Sequence, residues 1–111
     1  MIYQEINKAI AEFLGWKIVI VKDDDTGASQ QWWMEVNGKL HAFPDYCDDL
    51  NAMHEAEKWL IEKEGDYFYT EALMEVVRSD TESPFKGAVL ICATAHQRAE
   101  AFLKTIGKWR D

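Results

Sequence analysis

The sequence contains few prolines and cysteines, no long hydrophobic run and no excess of basic residues. Two of its 111 residues are proline and two are cysteine, and 12 Lys and Arg stand against 20 Asp and Glu, for a formal net charge of −8. A protein that binds the phosphate backbone of nucleic acid needs basic residues in excess, so we expect no such binding. No apolar run approaches the roughly 20 residues that span a bilayer, and residues 1–5 do not resemble a signal peptide. We therefore expect a cytoplasmic protein with no membrane contact.

Hydrophobic residues, by contrast, are plentiful. They make up 48% of the chain, and aromatic residues make up 13%. This is enough apolar surface for a folded core, and the length suits one domain over residues 1–111. With no secretion signal, Cys47 and Cys92 are expected to be reduced thiols.

Three segments have the apolar spacing of helices. The first runs from Ile2 to Phe13 and ends before Gly15. A second begins near Leu50, after a cap at Asp48 or Asp49, and ends at Gly65. A third follows a cap at Thr94 and ends at Gly107. These segments should pack their apolar sides into the core.

Between the helices lie segments with strand character. Ile18–Val21 is branched at Cβ throughout and is expected to be buried on both faces. Trp32–Val36 and Lys39–Phe43 flank Asn37-Gly38, which predicts a hairpin with a type I′ turn and positive φ at both turn residues. Residues 88–92 form a fourth predicted strand. Residues 67–79 are ambiguous, and we favour a short strand that runs into a helical turn.

This element order predicts an α+β domain, with a mixed or antiparallel sheet of about four strands and helices packed on it as an α-β-α layered sandwich. The expected core combines residues from every element: Ile6, Ile10, Phe13, Val19, Val21, Met34, Val36, Leu60, Leu90, Phe102 and Ile106.

Three stretches together resemble a known family. They are Leu14-Gly15-Trp16, the segment Pro44–Ala52 that reads Pro-Asp-Tyr-Cys-Asp-Asp-Leu-Asn-Ala, and the C-terminal run from Ala93 through Trp109. In these stretches the chain resembles the phage ABA sandwich domain family of small phage and prophage proteins. The resemblance implies a three-layer arrangement of helices and sheet and a phage or prophage origin. It implies no activity and transfers no catalytic or binding residue.

Candidate metal and nucleophile sites have simpler structural interpretations. The loop Asp23-Asp24-Asp25-Thr26-Gly27 lacks the closing acidic residue of an EF-hand loop, so a solvated turn is expected. His41, Asp45, Cys47 and His54 lie near one another without the spacing of a zinc site. Cys47 lies near a helix start, where flanking aspartates oppose activation of the thiol. We therefore predict no catalytic residue, metal or cofactor.

The aromatic residues are the better candidates for contact with a ligand or partner. Trp32 and Trp33 are adjacent in a strand and point to opposite faces. Both belong to the core if helices cover both faces, whereas one is an interface anchor if a face is open. The candidate ligand or interface residues are Trp32, Trp33, Tyr46, His54, Arg98 and Trp109.

Charge is unevenly distributed along the chain. Residues 44–83 hold twelve acidic and three basic residues, whereas the last helix is basic. The first hypothesis is a non-catalytic phage accessory protein that binds a host protein or itself, as a homo-oligomer and most simply a dimer. The alternatives are a sponge for a nucleotide signal that counters host defence, an acidic mimic of DNA and, last, an enzyme.

Overall fold

The chain forms helices around a core, with a small antiparallel sheet at one side. The computed structural model describes residues 1–80 and 93–110, with side chains described for 1–78 and 93–110. Within these residues the elements are α1 (Tyr3–Phe13), β1 (Lys17–Lys22), β2 (Ser29–Met34), β3 (Leu40–His41), α2 (Leu50–Glu64), α3 (Tyr67–Asp80) and α4 (Ala95–Thr105). The predicted α+β class is therefore confirmed. The predicted strand 88–92, with Leu90 and Cys92, lies outside the described residues.

Helix α4 occupies the centre of the helical body, because it contacts α1, α2 and α3. Its Phe102 and Leu103 are fully buried, as are Ile6 and Ile10 of α1 and Leu60 of α2. The predicted core positions Ile6, Ile10, Leu60 and Phe102 are thus confirmed. Burial of several large apolar side chains supplies the main stabilisation of these helices, since isolated helices of this length are marginal in water.

The two predicted caps hold the starts of α2 and α4. The Asp49 side chain accepts a hydrogen bond from the Ala52 amide, at 3.1 Å. The Thr94 side chain accepts one from Gln97 N while Gln97 Oε1 accepts one from Thr94 N, which completes a capping box. Each cap satisfies amides that have no partner within the helix.

The sheet has the order β1-β2-β3 and is antiparallel throughout. Lys17 pairs with Met34 and the register continues without a bulge to Lys22 opposite Ser29. The hairpin at Asn37-Gly38 is confirmed, but its turn type is not the predicted one. Only Gly38 has a positive φ, of 90°, and its amide donates to the Glu35 carbonyl at 2.9 Å. The connection is therefore a longer turn with glycine at its left-handed position.

The sheet is more exposed than the sequence predicts. Val21 is 42% exposed and Val36 is 79% exposed, so their assignment to the core was wrong. Val36 lies in the turn beyond β2 and not on a sheet face. The expected burial of β1 on both faces was also wrong, because the described residues place no helix over its outer part. Four further predicted core residues are only partly buried, namely Phe13, Val19, Met34 and Ile106.

Residues 67–79 belong to one helix, and the predicted short strand was wrong. The buried side chains Tyr69, Leu73, Val76 and Val77 recur at helical spacing. The aromatic run favours a strand locally, but Tyr67 and Phe68 remain exposed while Tyr69 turns inward. Packing of the inward face against α4 therefore outweighs the local propensity.

Candidate functional site

A cleft of about 700 Å³ opens between the inner end of the sheet and α2. We call it the Trp16 cleft, after the residue that begins the extended segment following α1. Its aromatic walls come from Trp16, Phe43, Tyr46 and Trp59. The volume lies in the range of about 300–1,000 Å³ that is usual for ligand pockets, and the mixture of aromatic walls with a few polar groups is typical of them.

Trp16 and His41 both line the cleft, and they contact each other at the end of the sheet. Their rings are stacked, with centroids 4.9 Å apart and planes at 24°. His41 Nε2 lies 2.6 Å from Glu35 Oε2, a short hydrogen bond between β3 and the turn after β2. This bond and the stacked ring fix the imidazole in one orientation. The cleft therefore has a preorganised polar group beside an aromatic surface.

Tyr46 is held in the cleft wall by a side chain of α1. Asn7 Oδ1 accepts hydrogen bonds from the amides of Tyr46, at 2.8 Å, and Cys47, at 3.0 Å. Tyr46 is 4% exposed, and its ring lies 5.9 Å from that of Trp16. Burial, with the charge of Glu35 as a second cause, raises the pKa of the Tyr46 phenol above its usual value. The phenol is thus neutral at physiological pH.

Carboxylates dominate the charge of the cleft. The cleft is lined by four acidic residues, Glu35, Asp45, Asp49 and Glu55. Among the lining residues that the structure describes, only Lys39 is a lysine or arginine. Asp45, Asp49 and Glu55 belong to the loop before α2 and to its first turns, where Asp49 also caps the helix, whereas Glu35 lies in the turn after β2. Carboxylates beside aromatic rings favour a cation attached to an apolar group.

A second polar cluster lies inside the helical body around Glu57. Its Oε2 accepts hydrogen bonds from the Tyr69 hydroxyl at 2.6 Å and from Arg98 at 2.9 Å, and its Oε1 lies 2.9 Å from His54 Nδ1. Glu57 is 7% exposed. Burial, together with the charge of Glu57, raises the pKa of the Tyr69 phenol, which stays a donor. The cluster connects α2, α3 and α4. Its buried charges are compensated by each other and by hydrogen bonds, so it holds the three helices together.

The structure does not bring the six candidate residues together. Tyr46 lines the Trp16 cleft, whereas His54 and Arg98 belong to the Glu57 cluster. Trp33 is 7% exposed and contacts the core, while Trp32 is partly exposed on the opposite sheet face. Trp109 packs against the core near the C-terminus, with the Lys104 ammonium 5.9 Å from its ring.

The sequence did not single out Trp16, Glu35 or Glu57 as site residues. The Trp16–His41 stack joins residues far apart in the chain, so no local spacing could reveal it. A weaker signal existed for Glu57, because it lies on the same side of α2 as Met53 and Leu60. A charged residue at an apolar position predicts a buried partner of opposite charge.

The candidate metal and thiol residues are explained by local structure. Asp23 Oδ1 accepts a hydrogen bond from the Asp25 amide within a turn. Across residues 1–80 and 93–110 no three His, Cys, Asp or Glu side chains are grouped to hold a metal ion. Burial, then the charges of Asp48 and Asp45, raises the pKa of the Cys47 thiol to about 12, which opposes nucleophilic chemistry.

Comparison with known proteins adds no relative. No protein family model, curated protein or solved structure is significantly similar to this chain. In the described parts of the chain, no helix is both long and apolar enough to cross a membrane.

Proposed function

We propose that this chain is a non-catalytic accessory protein of a phage or prophage, which acts by binding a host protein through the Trp16 cleft. The resemblance of residues 14–16, 44–52 and 93–109 to the phage ABA sandwich domain family supports the origin. The cleft supports the activity, and the observation that carries it is the combination of aromatic walls with an excess of carboxylates.

The chemistry of the cleft selects one kind of partner segment. A Lys or Arg side chain has an apolar stem that packs on the partly exposed rings of Trp16 and Trp59, and a cationic head for the carboxylates of Asp45 and Glu55. Apolar neighbours of that basic residue would contact Phe43, which is 66% exposed at the rim. A short basic and apolar segment of a protein has this combination of groups.

The composition of the cleft argues against two of the alternative functions, the nucleotide sponge and the enzyme. A nucleotide sponge needs basic groups for phosphate, but here Lys39 faces several carboxylates that repel an anion. An enzyme that forms a covalent intermediate through a hydroxyl or thiol needs that group to be activated. Among its described lining residues the cleft has no Ser, Thr or Cys, and the phenol of Tyr46 has a raised pKa. These features support binding over either alternative.

A titration followed by NMR tests the proposed binding. The probe is the peptide acetyl-Gly-Leu-Arg-Leu-Gly-amide, and its control carries Glu in place of Arg. We expect the Arg peptide to shift the indole signal of Trp16 and the amide signal of Tyr46 in a saturable way. The Glu peptide should leave both signals unchanged.

Two variants of α2 provide a matched control for the charge argument. Glu55→Lys and Glu62→Lys each reverse one exposed carboxylate on the same helix, but only Glu55 lines the cleft. Glu55→Lys should weaken binding of the Arg peptide about tenfold, whereas Glu62→Lys should have little effect. Equal effects of the two variants, or equal binding of the two peptides, would contradict the proposal.

A further inference from the structure

Strand β1 has the composition of an interior strand but lies at the edge of the sheet. Its sequence is Lys-Ile-Val-Ile-Val-Lys, and Ile18, Ile20 and Val21 are 48%, 70% and 42% exposed. Within the described residues no strand pairs with its outer edge. Strands that are apolar on both faces are typical of sheet interiors, and an exposed apolar edge is a template for another strand.

We propose that β1 pairs antiparallel with β1 of a second copy of this chain, about a two-fold axis through Ile20, to give one six-stranded sheet. The proposal concerns the outer edge of the hairpin and does not rest on the function of the Trp16 cleft. Its register follows from the hydrogen bonds and charges of the hairpin.

The hydrogen bonds of the hairpin define which backbone groups face outward. The Asp23 amide donates to the Ala28 carbonyl at 2.9 Å, in continuation of the β1–β2 register. Because antiparallel ladders alternate, residues 17, 19 and 21 also bond to β2. The N–H and C=O groups of Ile18, Ile20 and Lys22 therefore point to the outer edge. In the proposed dimer the backbone of Ile20 forms hydrogen bonds with the backbone of Ile20 in the second copy. The backbone of Ile18 forms them with that of Lys22 in the second copy.

Neighbouring registers are less favourable. Centring the axis on Val19 would require an outward N–H from Trp16, but that amide already donates to the Ala11 carbonyl at 3.0 Å. Centring it on Val21 would place Val19 opposite Asp23 of the second copy, an apolar side chain beside a carboxylate. Only the register through Ile20 avoids both costs.

Charge complementarity supports the same register. It places Lys17 opposite Asp23 of the second copy, and the two-fold axis makes this pair twice. Both residues are exposed in the single chain. Opposite charges directly across from each other stabilise antiparallel strands, and like charges destabilise them. Val19 then lies opposite Val21 of the second copy, and Ile20 lies opposite Ile20, so these apolar side chains face one another.

Disulfide trapping tests the register. Residues of a hydrogen-bonded antiparallel pair have Cα atoms about 5.5 Å apart, within the range that a disulfide spans. Ile20→Cys should therefore give a covalent dimer under mild oxidation. Ile18→Cys and Val19→Cys serve as controls and should cross-link far less, and the parent chain gives the background from its native cysteines. Faster cross-linking of Val19→Cys than of Ile20→Cys would overturn the register.

Sedimentation equilibrium of charge variants tests the association itself. Lys17→Glu should raise the dissociation constant of the dimer about tenfold, because two attractive pairs become repulsive. Adding Asp23→Lys should restore most of the affinity, while Lys58→Glu, which reverses an exposed charge on α2, should leave it unchanged. Circular dichroism confirms that each variant is folded. A parent chain that stays monomeric at millimolar concentration, or a double variant no tighter than Lys17→Glu, would overturn the proposal.

Discussion

Glu57 places a buried charge inside the helical body. Its carboxylate lies between three helices and accepts hydrogen bonds from Tyr69 and Arg98. A carboxylate removed from water is costly unless a cation and hydrogen-bond donors replace its hydration. Arg98 provides the cation, and its Nε also donates to the Ala93 carbonyl at 3.1 Å, just before α4 begins.

Removal of this cation should therefore destabilise the fold strongly. We expect Arg98→Ala to lower the free energy of unfolding by about 3–5 kcal/mol, because the Glu57 charge stays buried without its partner. Lys8→Ala is the control, since it removes an exposed pair with Glu12 worth at most about 1 kcal/mol. Urea denaturation measures both values. Similar losses for the two variants would show that the Glu57 cluster is not a buried charge pair in solution.

The elements of the fold could be predicted where short-range chemistry determines them. The caps at Asp49 and Thr94 and the hairpin position at Gly38 follow from side chains and backbone within a few residues. The helical state of Tyr67–Tyr69 does not, because packing of the inward face of α3 against α4 outweighs the local strand propensity. The exposure of Val21 and the assembly of the Trp16 cleft likewise depend on which elements meet, which local periodicity does not specify.

The turn at Gly38 gives an element-scale prediction. Gly38 has a φ of 90°, and no atom lies within 4 Å of where a Cβ would stand, so only the backbone opposes a side chain. Gly38→Val should cost about 1–3 kcal/mol, because a branched residue resists positive φ. Gly38→Asn should cost clearly less, since asparagine tolerates this conformation. Thermal unfolding compares them, and equal losses would indicate a different turn in solution.

At the scale of the whole molecule, the helical body and the hairpin differ in how well they are held. Trp33 is the one buried side chain in the described strands β1 and β2, whereas α4 alone buries five residues. Regions with few buried contacts open locally with a smaller free energy than the core. Stability should therefore decrease from α4 toward the outer end of the hairpin.

Native-state hydrogen exchange measures this difference directly. In dilute protein, we expect the β2-facing amides of Val19 and Val21 to exchange by local opening, well before those of Phe102 and Leu103. The latter should exchange only with global unfolding, since their side chains are fully buried. Exchange of both groups at one common free energy would instead mean that the hairpin and the helices unfold as a single unit.

The double hydrogen bond from Asn7 has a consequence for how the chain could diversify. The Asn7 side chain accepts hydrogen bonds from the amides of Tyr46 and Cys47, and the Trp16 amide donates one to the Ala11 carbonyl of the same helix. The segment between Trp16 and Tyr46 is therefore attached to α1 by hydrogen bonds at both of its ends. Such a segment can be exchanged, shortened or lengthened while the helical body is retained, as antibody loops vary on a constant framework. Related proteins would then diverge most in residues 17–43 and least in the helices that hold them.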